Sequence, residues 1–405
     1  MANLILAYVT SFFAYGAITP FLPLLVRDLG YSALFVGILL GVFEGAGIAG
    51  PFAFGFAADR TGNYKTPIVI TYLVTALSVI PLAFFVHPAL SVVFIVFFAF
   101  SFRATSPLLD AAATIFIGAS GNYGRLRAAG SLSFIVMVLF LQWGPFLKPD
   151  SAVNISFWIA LSSIAAIVPA LFMKNASVGR KTSGERKMSE TNRPGGSVEA
   201  RFPRRIWTPL FFGGLSVIFL CRLAMSAVYT FFPLYLTEYL RWNVVGAMFA
   251  LATACEVPCM FVSARLIRRF GPLPLLALSA AAISVRLGIY ALFPAKAFIV
   301  AAQGLHALCF GIFHPAAVGF IAESVPPEKR ALGMSIYLSL GSGLPSLVGN
   351  VLGGIIVERS GYSRLFAVYS LFTLAAAAVF FVIRAAGRVT PAAKPRNPGL
   401  RQSGL

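Results

Sequence analysis

The chain reads as long apolar blocks separated by short polar breaks. Twelve blocks stand out, at about 4–26, 34–57, 66–86, 89–117, 128–147, 154–173, 206–236, 244–264, 273–293, 296–322, 331–357 and 362–384. A bilayer core is crossed by a helix of about 20 apolar residues, and each block reaches that length. A spanning backbone must satisfy its own hydrogen bonds, so the pattern predicts an all-α membrane protein. A transmembrane β-barrel would alternate polar and apolar residues, and the blocks do not.

The longest polar segment, 174–205, divides the blocks six and six. It carries nine basic and three acidic residues and is rich in Ser and Gly. That composition predicts a flexible linker. The expected organisation is a first six-helix bundle over 1–173, the linker, a second bundle over 206–384 and a flexible tail over 385–405. Composition agrees: 59% of the 405 residues are hydrophobic and 11% are charged, against about 25% charged in soluble domains. The first block is too long, and lacks the basic flank, for a cleaved signal peptide.

The net charge of +19 suggests nucleic acid until it is mapped. One set of loops, holding both termini and the linker, carries 23 Lys and Arg; the opposite set carries six and the helices three. Positive loops stay in the cytoplasm, so the charge predicts both termini inside and argues against nucleic-acid binding. Cys221, Cys255, Cys259 and Cys309 all fall inside apolar blocks without a metal-binding spacing, so they read as packing residues and no metal or cofactor is expected.

The halves repeat. FLPLLVRDLGYSALFVG at 21–37 is similar to FFPLYLTEYLRWNVVG at 231–246, and RAAG at 127–130 to RALG at 330–333. Duplicated halves place a solute site near the bilayer midplane between them. Gly37, Gly41, Gly45 and Ala49 form one small-residue stripe, and Gly341, Pro345, Gly349 and Gly353 another. Such stripes serve either static close packing or sliding faces.

GFAADRTGNYK, 55–65, sets charges among glycines between the second and third blocks. Gly55, Asp59, Arg60, Gly62 and Lys65 match the pattern G-x-x-x-D-R-x-G-x-x-[RK], and the segment resembles the loop signature of the major facilitator superfamily. The resemblance implies two pseudo-symmetric six-helix bundles and a cytoplasmic gate. In that reading Gly55 packs closely at the helix end, Gly62 serves the turn, and Asp59 with the basic residues forms ion pairs that break on opening. The matching loop of the second half, ARLIRRFG at 264–271, has Arg268 where the carboxylate would stand.

PLLDAAATIF at 107–116, YGRLRAAGSLSF at 123–134, GLHALCFGIFHPA at 304–316 and VPPEKRALGMSIYLSLGSGL at 325–344 resemble the phenylpropionate-permease-like branch. SVR at 284–286 and LH at 305–306 are similar to the oligosaccharide:proton symporters. There the Arg and His couple protons to sugar, with a carboxylate three residues after the His. Here Cys309 takes that position.

Ionisable residues within the blocks are few: Glu44, Arg103, Asp110, Arg222, Glu256, Arg286, His306 and His314. Such groups face the bundle interior and mark solute or ion paths. At 1.5 Å per residue, Glu44 and Arg103 both lie about 20 Å from the terminal helix ends, so they should pair or face one cavity. Arg103 and Asp110 share a helix face. Glu256 is placed to meet Arg286 or His314. Arginines outnumber carboxylates near the midplane, which suits an anionic or hydroxylated solute. Glu256 is the first candidate for the coupling proton, ahead of Asp110 and His306.

The expected protein is a secondary transporter, not an enzyme, of an organic acid or sugar-like solute with proton symport. It is expected to be monomeric and in a bacterial inner membrane. Export of amphiphiles, uniport and a receptor-like role stay open. An intramembrane enzyme lacks a nucleophile–base or metal cluster at one depth.

Overall fold

The computed structural model describes residues 2–117, 123–144, 146–173 and 207–389. The linker expected at 174–205 lies outside them, and of the expected tail only 385–389 is described, continuing the last helix to Val389. The described residues are helical, with no strand. The membrane-length helices are α1 (Asn3–Asp28), α2 (Ala33–Thr61), α3 (Lys65–Phe84), α4 (Pro88–Phe116), α5 (Leu126–Trp143), α6 (Ala152–Leu171), α7 (Pro209–Tyr239), α8 (Val245–Phe270), α9 (Pro272–Leu292) and α10 (Lys296–Ser324). The last apolar stretch, Leu332–Ala385, is broken at Gly361, whose φ of 77° and ψ of 177° are not helical. It therefore comprises α11 (332–360) and α12 (362–385).

Large apolar side chains such as Phe84, Phe97, Phe157, Leu292 and Phe381 are exposed around the bundle. Lipid, not water, suits such a surface. Ser32, Ser151 and Thr208 cap α2, α6 and α7 by accepting from the backbone N–H of Phe35, Asn154 and Phe211. These hydroxyls occupy donors that a helix start leaves free.

Prolines shape the helices that meet between the halves. A helix proline removes one N–H and crowds the carbonyl four residues earlier. The wide π-turns Ala227–Phe231, Ala307–Ile312 and Tyr337–Gly343 each contain the residue four before Pro233, Pro315 or Pro345. In α1 the same position before Pro23 falls in the break between Ala2–Ile18 and Leu22–Asp28. The repeated LP and FP of the two halves thus bend α1 and α7 at matching points.

We call the face where Ala2 and Val389 lie the terminal face and the other the distal face. At the distal face Arg27 Nε donates to Glu238 Oε1 at 2.6 Å, and Tyr362 donates to Glu238 Oε2 at 2.7 Å. The Leu34 N–H reaches Glu358 at 2.8 Å. Gln142 bridges Asn243 O and the Gly246 N–H at 2.9 and 2.8 Å. These contacts tie α1 to α7, α2 to α11 and α5 to α8.

The two stripes of small residues do different work. A Cβ at Gly37 would run into the Asn350 carbonyl, and one at Gly41 or Gly45 would press on Leu347, so this stripe packs between the halves. Gly349 and Gly353 instead face Ser226 and Phe231 of α7, within the second half. The face of α11 turned toward α2 carries Gly343 and Gly354, against Ile48 and Ala33–Leu34.

Candidate functional site: two chambers between the halves

The bent helices leave two adjoining cavities between the halves. The first, about 220 Å³, lies among α1, α4, α5 and α7–α10. The second, about 330 Å³, lies among α1, α2, α4, α7, α10 and α11. Tyr15, Thr19, Tyr229 and Phe310 line both and form the partition. Two of these four, Thr19 and Tyr229, are the residues that Pro23 and Pro233 displace.

In the first chamber Arg286 is 1% exposed and almost fully bonded. It donates through Nε to Tyr290 Oη and through Nη2 to Gln303 Oε1, both at 2.8 Å. Its Nη1 lies 2.8 Å from His306 Nδ1. Guanidinium only donates, so Nδ1 accepts and the neutral His306 ring carries its proton on Nε2. That nitrogen lies 3.4 Å from Glu256 Oε2. Glu256, His306 and Arg286 thus form one chain, finished by Gln303 and Tyr290. Cys309 is fully buried beside Arg286. The expected meeting of Glu256 with Arg286 or His314 is corrected: its partner is His306. Helix depth from the ends gives height, not azimuth, and the wide turn Ala307–Ile312 separates the two histidines of α10. His306, Phe310 and His314 stack as a column, with ring centroids 5.8 Å apart at each step.

Asp110 lies beside Ser106 and Arg127 of the opposite wall and lines neither chamber. It accepts from Tyr8 Oη and, at 3.4 Å, from Ser106 Oγ, with Arg127 at 3.8 Å. Arg127 faces the first chamber and lies 5.1 Å from the Phe12 ring centroid. Asp110 and Arg103, on one helix, therefore join different clusters. Arg127 was counted among loop charges in the sequence; its RAAG repeat was the signal that it stands at a helix start. Gln303 and Tyr290 were also missed, because uncharged polar residues are common in membrane helices.

In the second chamber Arg103 Nη2 bonds Glu44, and its guanidinium lies 5.1 Å from the Phe43 ring centroid. Gly47 leaves room for the Arg103 stem, which a Cβ there would strike. Across from this pair Arg222 Nη2 donates to Ser342 Oγ at 3.0 Å. His314 Nδ1 lies 3.0 Å from Tyr337 Oη, and Thr230 donates to Asn350 at 2.8 Å. The buried side-chain polar atoms left without a hydrogen bond, among the described residues, are Arg103 Nε, Arg127 Nη1 and Arg222 Nε. All three belong to guanidiniums that line a chamber. A charged group at the bilayer centre costs at least ~2.5 kcal/mol, so unused donors there are expensive unless a ligand needs them.

The 55–65 segment keeps its bonds to itself in this structure. Asp59 accepts from Tyr64 of its own turn, and Asp59 and Arg60 are exposed. Among the described residues neither they nor Lys65 bond the second half. Gly62, with φ 66°, closes α2 in the left-handed region, as a turn glycine should. Gly55 faces open space in place of the close packing expected of it, because no second-half helix reaches it at this face.

The MFS_1-like family model matches residues 1–368. The chain belongs to that family. This MFS_1-like protein is 25% identical over 382 residues to the maltose permease of Geobacillus stearothermophilus, covering 93% of each chain. It is 24% identical over 378 residues to the "Probable 3-phenylpropionic acid transporter" of Escherichia coli (strain K12), covering 92% of this chain and 95% of that one. Its fold is similar to that of a mutant of the nucleoside transporter NupG, with a TM-score of 0.77 at 15% identity over 94% of this chain and 99% of the other. The MFS_1-like chain is an integral membrane transporter of the major facilitator fold, and not an enzyme.

Proposed function

We propose that this transporter carries a small organic acid or sugar-like solute across the cell membrane by proton symport, through rocking of its two halves. The observation that carries the reading is the Glu256–His306–Arg286 chain facing the first chamber. Glu256 is the carboxylate of that chamber, and its bond to His306 gives a proton a defined place to arrive. Protonation of Glu256 loosens its hold on His306 and changes the donors that the chain offers to a solute. Release of the proton restores the pair, so solute and proton affinities are linked. The names of the relatives support both solute types, one being a maltose permease and one a phenylpropionic acid transporter. The excess of basic loop residues on the terminal side supports cytoplasmic termini. With the ties between halves at the distal face, the described state is then inward-open.

The test is solute-induced proton flux in liposomes, with pools of aromatic acids, sugars and nucleosides added while external pH is recorded. Alkalinisation by one pool is expected. In Glu256→Gln, accumulation against a gradient should fall to the equilibrium level while exchange of solute for solute continues. Loss of both activities in a folded protein would count against Glu256 as the coupling group.

A further inference from the structure

Each chamber is lined by two guanidiniums and one carboxylate, and in the second that carboxylate is bound to one guanidinium while the other has few partners. Arg222 is bonded to one neutral hydroxyl, Ser342, and its Nε is buried without a partner. Among the described residues no carboxylate lies within ion-pair distance of it. Glu44, across the chamber, is already held by Arg103. Thr230 and Asn350 bond each other, and His314 bonds Tyr337. The fixed groups therefore leave the Arg222 guanidinium, which lines the cavity, with no anion to meet it.

We propose that Arg222 is the anchor of an anion site, and that the solute is an amphipathic monocarboxylate whose carboxylate binds there. The proposal rests on the reading above that the chambers hold the transported solute, and it narrows the organic-acid and sugar-like alternatives to one. A guanidinium fork matches carboxylate geometry with two parallel bonds. Ile18, Leu22, Leu40, Phe43, Phe102 and Leu338 line the same chamber and offer an apolar wall to the body of such an acid. Size agrees, since a cavity of about 150 Å³ can hold benzene and this one is about 330 Å³. The wide turn Tyr337–Gly343 carries Ser342, the hydroxyl that orients the guanidinium. The partition then separates the anion site from the Glu256–His306 chain. Carboxylate and proton bind on opposite sides of Tyr15, Tyr229 and Phe310.

The experiment is binding to the purified full chain in detergent, with benzoate and phenylacetate compared to benzamide and phenylacetamide, and with maltose as a neutral hydroxylated probe. A charge-assisted bond lost to an amide predicts a preference for carboxylate of about tenfold or more. Arg222→Gln should erase that preference, and Arg222→Lys should keep part of it. Thermal melting reports whether each variant is folded. If Arg222→Gln fails to fold, the wild-type carboxylate–amide comparison and Arg222→Lys decide. Equal binding of acid and amide, no binding of either acid, or full preference retained in folded Arg222→Gln would overturn the site. Proton flux with maltose and no carboxylate preference would overturn this site and leave symport standing. Carboxylate binding that depends on Arg222, without proton flux, would do the reverse.

Discussion

The two faces of the molecule are held in opposite ways. At the distal face backbones of different halves touch, and polar groups lock over the contact: Gly37 lies against Asn350, Gly354 against Ala33, and Arg27, Glu238 and Tyr362 close above them. At the terminal face the conspicuous charges are turned inward on their own segment, with Asp59 held by Tyr64. The same helices separate as they pass from one face to the other, since α2 has close neighbours in α11 at Gly37, Gly41 and Gly45 and open space at Gly55. The difference teaches that closure depends on shape first and charge second. Glycine contacts admit one helix to another, and ion pairs then finish a surface that already fits.

The most severe way to break the comparison is to spoil the fit. In Gly37→Val the new side chain has no room beside the Asn350 carbonyl and the Gly354 backbone, and backbone cannot move aside as a side chain can. Overpacking costs about 1–3 kcal/mol, which disfavours the distal-closed state by roughly 5- to 150-fold. Spin-label distances across the distal face should lengthen, and transport should fall in proportion. An unchanged distance distribution would mean that the contact is not required for closure.

Removing charge while keeping shape should do less. Glu238→Gln loses the ion pair with Arg27 and weakens the bond from Tyr362. Both partners are about one-third exposed, so the pair contributes roughly 0.2–1 kcal/mol after solvent screening. The closed population should drop by up to about fivefold, visible by the same distance measurement and smaller still in high salt. An effect as large as that of Gly37→Val would reverse the order of shape and charge.

Much of this arrangement was legible in the sequence, for a physical reason. Bilayer thickness fixes helix length, so the block 34–57 announced Ala33–Thr61 and the block 273–293 announced Pro272–Leu292. The duplicated LP and FP announced the bends of α1 and α7. Azimuth was not legible. Helix depth could not tell His306 from His314 as the partner of Glu256. The distal latch was half-visible: the repeat aligns Asp28 with Glu238, but Asp28 instead accepts from the Ala152 N–H at 2.5 Å at the start of α6. The neighbour, Arg27, crosses to the second half. Arg127 was hidden by its company, a basic residue at the end of a basic loop.

The smallest effect should come from the terminal face. Tyr64→Phe removes the hydroxyl that Asp59 accepts from, within one turn and away from the second half. The loss should lower stability by at most about 1 kcal/mol and leave the distal distances unchanged. Its pH dependence has a definite sign. Burial, and then the bond and charge of Asp59, push the Tyr64 hydroxyl up from 10.0 to about 12. A raised value means that the folded state holds its proton longer than the unfolded chain does. The contribution is therefore complete below pH 10 and is lost as pH rises through about 12. Wild type and Tyr64→Phe should differ by a constant amount in melting temperature from pH 6 to pH 9, and converge only in strong alkali. A difference that varied across the neutral range would mean that Asp59 has a second partner at this face, and the contrast between a bonded distal face and a self-contained terminal loop would need redrawing.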